Sequence, residues 1–147
     1  MTEEGNGSAG DGNRTATAAR LGFAEGQVVQ ELGWDEDVDE ALREEIEDAV
    51  GSPLEDEDYD GVVDAVLLWW RDGDGDLIDD CVDALAGLAD KGFIALLVPR
   101  AGHPDHVDAS DIQEAAQTAG LNASSSSKAG EEWIGTKLVQ GGAAKQR

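Results

Sequence analysis

Two uninterrupted apolar runs set the architecture of this chain: Ala65-Val66-Leu67-Leu68-Trp69-Trp70 and Phe93-Ile94-Ala95-Leu96-Leu97-Val98. Neither alternates with polar residues, so each reads as a strand covered on both faces, as the strands of a parallel sheet are. Between them lie an Asp/Gly loop, Asp72-Gly73-Asp74-Gly75-Asp76, and a segment that gathers Ile78, Cys81, Val82, Leu85, Leu88 and Ala89 on one helical face. Parallel strands need a crossover, and a helix is the ordinary one. The spacing therefore predicts strand, helix, strand, with the helix running from an Asp76 N-cap to Lys91-Gly92 and the second strand over 93–98. If the first strand is regular, Trp69 and Trp70 point to opposite faces and both pack under helices.

The remaining segments fit around this unit. A first strand is expected over 27–32, entering a loop at Gly33-Trp34, and a helix follows with Val38, Leu42, Ile46, Ala49 and Val50 at spacings of three and four, stopped by Gly51 and Pro53. Residues 53–60 read equally as a short edge strand or an acidic loop. After a loop over 99–109, Ser110-Asp111-Ile112-Gln113 has the spacing of a capping box and opens a helix that ends at Gly120. Strands over 121–128 and 131–140, separated by Ala129-Gly130, give an antiparallel finish. Residues 1 to about 19 and 141–147 carry no apolar periodicity and are expected to be disordered tails around one domain at 20–140, a size suited to a chain of 147 residues.

Charge narrows the partners. There are 33 acids against 10 bases, a formal net charge of −23, and 14 of the carboxylates fall between Asp35 and Asp60 beside a single base, Arg43. Such a surface repels phosphate backbones and anionic lipid, which excludes duplex nucleic acid and bare membrane as partners. The acidic stretch is either a docking face for a basic protein or a solvated face that favours solubility. A single cysteine, Cys81, allows no internal disulfide or thiolate zinc cluster, and the N-terminus shows no apolar signal segment, so a cytoplasmic location is expected. The oligomeric state is left open.

Ligands of open parallel sheets bind beyond the carboxyl ends of the strands. That rim should hold Gly33, Trp34 and Asp35 from the first loop, Arg71, Asp72, Asp74 and Asp76 from the second, and Arg100, His103 and His106 from the third. Arg71 and Arg100 both stand at strand ends, which suggests either paired anchors for a small anionic ligand or local neutralisation of acidic loops. The loop at Asp72, Asp74 and Asp76 opens like an EF-hand, but Leu77 stands where the turn glycine belongs, Asp79 where an apolar residue belongs, and Asp83 where the bidentate Glu belongs. These three aspartates are weak cation candidates, and no metal site is assigned. His103 and His106 lack a third ligand for zinc. Cys81 falls on an apolar helix face and reads as core.

With the segments placed, the chain resembles a bacterial family known only as domain of unknown function 3052. The carrying residues are Leu21-Gly22-Phe23, Gly26-Gln27-Val28-Val29, Trp34-Asp35-Glu36-Asp37, the run from Asp64 to Arg71, Gly120-Leu121 and Trp133-Ile134-Gly135-Thr136. The resemblance covers about residues 20–140 and implies no established activity. In layout the family also looks like a shortened class I methyltransferase, which implies a three-layer, Rossmann-like, mostly parallel sheet with a C-terminal antiparallel strand. The cofactor loop of such folds needs glycines after the first strand. Here Gly33 alone survives, followed by Trp34-Asp35-Glu36-Asp37, so no cofactor is expected. The reading that follows is a non-catalytic binding or regulatory module. Its alternatives are a divergent methyltransferase-like enzyme using the rim, and divalent-cation binding by the Asp72 to Asp76 loop.

Overall fold

The computed structural model describes residues 17–124 and 126–140. Among these, six strands are present: β1 (Val29–Leu32), β2 (Val63–Trp69), β3 (Leu88–Pro99), β4 (Leu121–Ala123), β5 (Ser127–Lys128) and β6 (Trp133–Gln140). Three helices join them, α1 (Glu40–Val50), α2 (Leu77–Leu85) and α3 (Ala109–Thr118), and a helical turn spans residues 17–21. The sheet order is β1-β2-β3-β6-β4, with β5 also on β6. The first three strands are parallel, and β6 runs antiparallel to its neighbours β3 and β4. The architecture is the expected α/β one, a mostly parallel sheet closed by an antiparallel strand.

The apolar runs are continuous because each successive side chain enters a different core. Ala65, Leu67 and Trp69 join Phe93, Ala95 and Leu97 on one face, under Leu42, Ile46 and Val50 of α1. Val66, Leu68 and Trp70 join Ile94, Leu96 and Val98 on the other, under Cys81 and Ala84 of α2 and Ile112 and Ala116 of α3. Three layers result. The two tryptophans do part company across the sheet.

Local capping follows the sequence for two of the three helices. Asp39 Oδ1 accepts from the Leu42 N–H and Gly51 ends α1 in the left-handed region, while the Asp76 carboxylate accepts from the Ile78 N–H at the start of α2. The third differs: α3 begins after Asp108 with no side-chain cap, so Ser110 lies inside the helix rather than at its cap.

The crossover helix is shorter than its periodicity predicts. It ends at Leu85, and Leu88 instead begins β3 by pairing with Val63. The register then shifts before Ala65 meets Phe93, so residues 89–92 are accommodated as a bulge. Gly92 is needed there, since a Cβ would strike Leu88 and the Asp64 carbonyl. Leu88 is satisfied by a core on either path, and period alone does not separate them.

The edges carry further corrections. β1 starts at Val29, two residues later than expected. The ambiguous 53–60 stretch contributes one extended residue, Glu55, which bridges β1 through Glu55 N–H to Val29 O and Glu31 N–H to Glu55 O, both 2.8 Å. The expected 121–128 strand is divided into β4 and β5. At the N-terminus, residues 17–19 are helical rather than part of a tail: Ala18 is fully buried and donates its N–H to a Glu45 carboxylate oxygen at 2.7 Å. The tail expectations for 1–16 and 141–147 lie outside the described residues. Among the described residues no helix is long and apolar enough to cross a membrane.

Candidate functional site

Parallel strands bring the loops after β1, β2 and β3 to one end of the sheet, and Arg71 ties the first two of these loops together. It lies two residues past the end of β2 and reaches into the β1 loop, where Nε and Nη2 donate to the two Asp37 carboxylate oxygens at 2.9 and 2.6 Å. Its Nη1 donates to Gly33 O at 3.0 Å and to Asp74 Oδ2 at 3.3 Å. The guanidinium also lies 5.4 Å from the ring centroid of Trp133, the first residue of β6, and only 11% of the side chain is exposed. The hydrogen bonds from Arg71 hold the Asp37 carboxyl below its ordinary range and push the guanidinium further up.

Trp133 is the floor of this clamp. Its indole N–H donates to Asp37 O at 3.2 Å, and its ring meets Trp69 edge-on at 4.8 Å. The part of the rim around Arg71 is thus filled by the chain's own side chains.

Arg100 does not join Arg71. Its Nε donates to Glu132 at 2.8 Å and its Nη1 to the neighbouring Ala101 carbonyl, and the side chain is half exposed. The remaining candidates have separate local roles. His103 Nδ1 accepts the Asp105 N–H, and His106 Nδ1–H donates to Pro99 O. Asp35 accepts from the Glu36 N–H, and the backbone N–H of Asp72 donates to Asp105 O. Asp74 is held by Arg71 and Asp76 is a helix cap. Among the described residues, no group of three or more His, Cys, Asp or Glu side chains is placed to hold a metal ion.

Gly33 is used for close packing. It sits at φ +81°, a Cβ there would collide with the Trp69 carbonyl oxygen, and its N–H is taken by Glu57 Oε2 at 3.2 Å. Gly33→Ala is expected to destabilise the fold by about 1–2 kcal/mol, read as a lower denaturant midpoint.

Reading the sequence alone missed Glu31. This buried carboxylate accepts from Arg43 Nε and Nη2 at 2.7 and 2.8 Å and from the Trp69 indole N–H at 2.8 Å. The available signal was its inward register on β1, facing the acidic stretch's single base.

Two clefts flank the clamp. One, of about 410 Å³, is lined by Trp34, Glu31, Arg43, Asp56, Glu57 and Asp58, and Trp34 is 50% exposed at it. The other, of about 440 Å³, lies between the ends of β1 and β2 and includes Gly33, Trp69, Trp70, Asp74, Asp80 and Asp83. Asp80 accepts the Trp70 indole N–H at 2.7 Å, yet burial, reinforced by Asp83, Asp74 and Asp79, pushes its carboxyl up. A raised acid is penalised when ionised, and the penalty is absent below the ordinary carboxyl value of 3.8. Asp80→Asn, which keeps an acceptor for Trp70, should therefore raise the melting temperature at pH 7 and leave it unchanged near pH 3. Next to it, burial pushes the Cys81 thiol up to about 11, as befits a core residue.

The family described as "Protein of unknown function (DUF3052)" matches residues 18–142. Uncharacterized proteins of Mycobacterium bovis and Mycobacterium tuberculosis are 51% identical over 123 residues, covering 84% of this chain and 77% of theirs. Among solved structures, a methyltransferase from Pyrococcus furiosus is similar with a TM-score of 0.54 and 15% identity, over 86% of this chain and 81% of that one. A precorrin-6y C5,15-methyltransferase from Geobacter metallireducens gives 0.55 and 10%, over 86% of each chain. The pyocyanin biosynthetic protein PhzM gives 0.65 and 12%, over 90% of this chain and 56% of that one. These likenesses establish the fold that the strand order describes.

Proposed function

This chain belongs to the DUF3052 family of proteins of unknown function, and within it we propose a non-catalytic binding module that docks a basic segment of a protein partner on the acidic face around Trp34. The observation that carries the reading is the Arg71 clamp: the cation best placed to anchor a ligand at the rim is held by Asp37, Asp74 and Gly33. Recognition then moves outward. On the 35–60 face the single base, Arg43, is already bonded to Glu31 and Glu40, which leaves most of the carboxylates unneutralised. Trp34 stands half exposed among them. A lysine or arginine laid across its ring would gain both cation–π attraction and charge complementarity.

The test is fluorescence anisotropy with a labelled Lys/Arg-rich peptide and its Glu-rich counterpart at about 0.15 M salt. Binding of the basic peptide alone, lost in Trp34→Ala and weakened by added salt, supports the reading. Equal binding by Trp34→Ala sinks it.

The cleft between the ends of β1 and β2 favours a second reading, a divergent methyltransferase-like enzyme or small-molecule binder. One of the structural neighbours is named a SAM dependent methyltransferase, so calorimetry with S-adenosylmethionine separates the two. Heat of binding at micromolar ligand would favour the enzyme.

A further inference from the structure

We propose that the cleft between the end of β3 and the β5–β6 turn binds a small anion with an apolar body, a carboxylate or phosphate carried on an aromatic or branched aliphatic frame. The cleft measures about 440 Å³, within the range of small-molecule sites, and Trp133, Ile134 and Ala101 supply apolar walls. Arg100 and Lys128 line it together with Glu131. Both cations keep donors to spare. Every guanidinium nitrogen of Arg43 and of Arg71 is engaged, whereas Arg100 meets one carboxylate, Glu132, through Nε. Lys128 has no side-chain hydrogen bond or ion pair among the described residues, and Arg100 uses Nε and Nη1 but not Nη2.

Local charge also limits the ligand. Arg100 and Lys128 are offset by Glu131 in the cleft and by Glu132 on Arg100 Nε, so the site is close to neutral inside a strongly negative molecule. That suits one anionic group held by two donors and disfavours a polyanion. Sequence spacing did not reveal the pairing, because Arg100 and Lys128 are joined only through β3 and β6: Pro99 pairs with Trp133, and Lys128 pairs with Ile134. The site uses residues distinct from the Trp34 face. Trp133 is shared with the Arg71 clamp, so its indole reports on occupancy.

Titration of phenylacetate, phenyl phosphate and the neutral phenylacetamide into isotope-labelled protein, followed by NMR, tests the assignment. Either anion should shift the Trp133 indole N–H and the Ile134 amide saturably, with phenylacetamide weaker by about tenfold or more. Arg100→Gln with Lys128→Gln, both at exposed positions, should weaken the anion by a similar factor without moving the melting temperature, since an exposed ion pair adds little to stability. Trp34→Ala should leave the titration unchanged, which separates failure here from failure of the basic-partner reading. Equal affinity for phenylacetamide, wild-type affinity in the double variant, or inorganic phosphate binding as tightly as phenyl phosphate would each overturn the proposal.

Discussion

Glu31→Ala is expected to lower the free energy of unfolding by about 3–5 kcal/mol, because it strands two donors at once. The Trp69 indole is fully buried and its N–H has Glu31 as acceptor, while Arg43 loses the bidentate half of its bonding and keeps only Glu40. Chemical denaturation gives the measurement. Glu31→Gln should recover part of the loss, since its amide oxygen still accepts from the indole but presents one oxygen to a guanidinium that now uses two. If alanine and glutamine are equally costly, cavity formation rather than donor satisfaction sets the effect, and the role assigned to the carboxylate is wrong.

Arg71→Met should destabilise the chain by about 2–3 kcal/mol. Removing one partner of a largely buried pair is costly, and the figure is reduced here because Asp37 is half exposed. The distinguishing feature is its pH dependence. Asp37 is held down by Arg71, so its contribution is complete above the unfolded carboxyl value of 3.8 and is lost as pH falls through the lower folded value. Wild type and Arg71→Met should therefore differ most at neutral pH and converge in strong acid. Parallel pH profiles would show that Asp37 does not carry the clamp. Because Arg71 also covers Trp133, the variant should shift the Trp133 indole resonance even at neutral pH.

These two residues show where reading the chain stopped short. Arg71 stands near a strand end in the sequence pattern, yet nothing in its neighbourhood of sequence indicates that Asp37, in a different loop, takes the Nε–Nη2 edge of its guanidinium. Arg100 stood at the equivalent position one strand over and pairs with Glu132 instead. The difference lies in which loops the sheet order places side by side. Leu88 illustrates the same limit within the fold: its spacing suits the helical face, and only the free edge of Val63 draws it into β3. Ser110 and Gln113 have the spacing of a cap, but the chain enters α3 two residues earlier.

What the sequence by itself determined is the layered parallel sheet. Residues such as Val66 and Leu67, or Leu96 and Leu97, are apolar in succession because both faces of the sheet are covered, and that demand is written residue by residue. It also determined the cap at Asp76 and the stop at Gly51, which rest on local bonds of short span. Only the tertiary structure decided the state of the rim, because ion pairs and clefts depend on distances between segments far apart in the chain. Arg71 closes one part of it with Asp37, and Arg100 and Lys128 leave another part open.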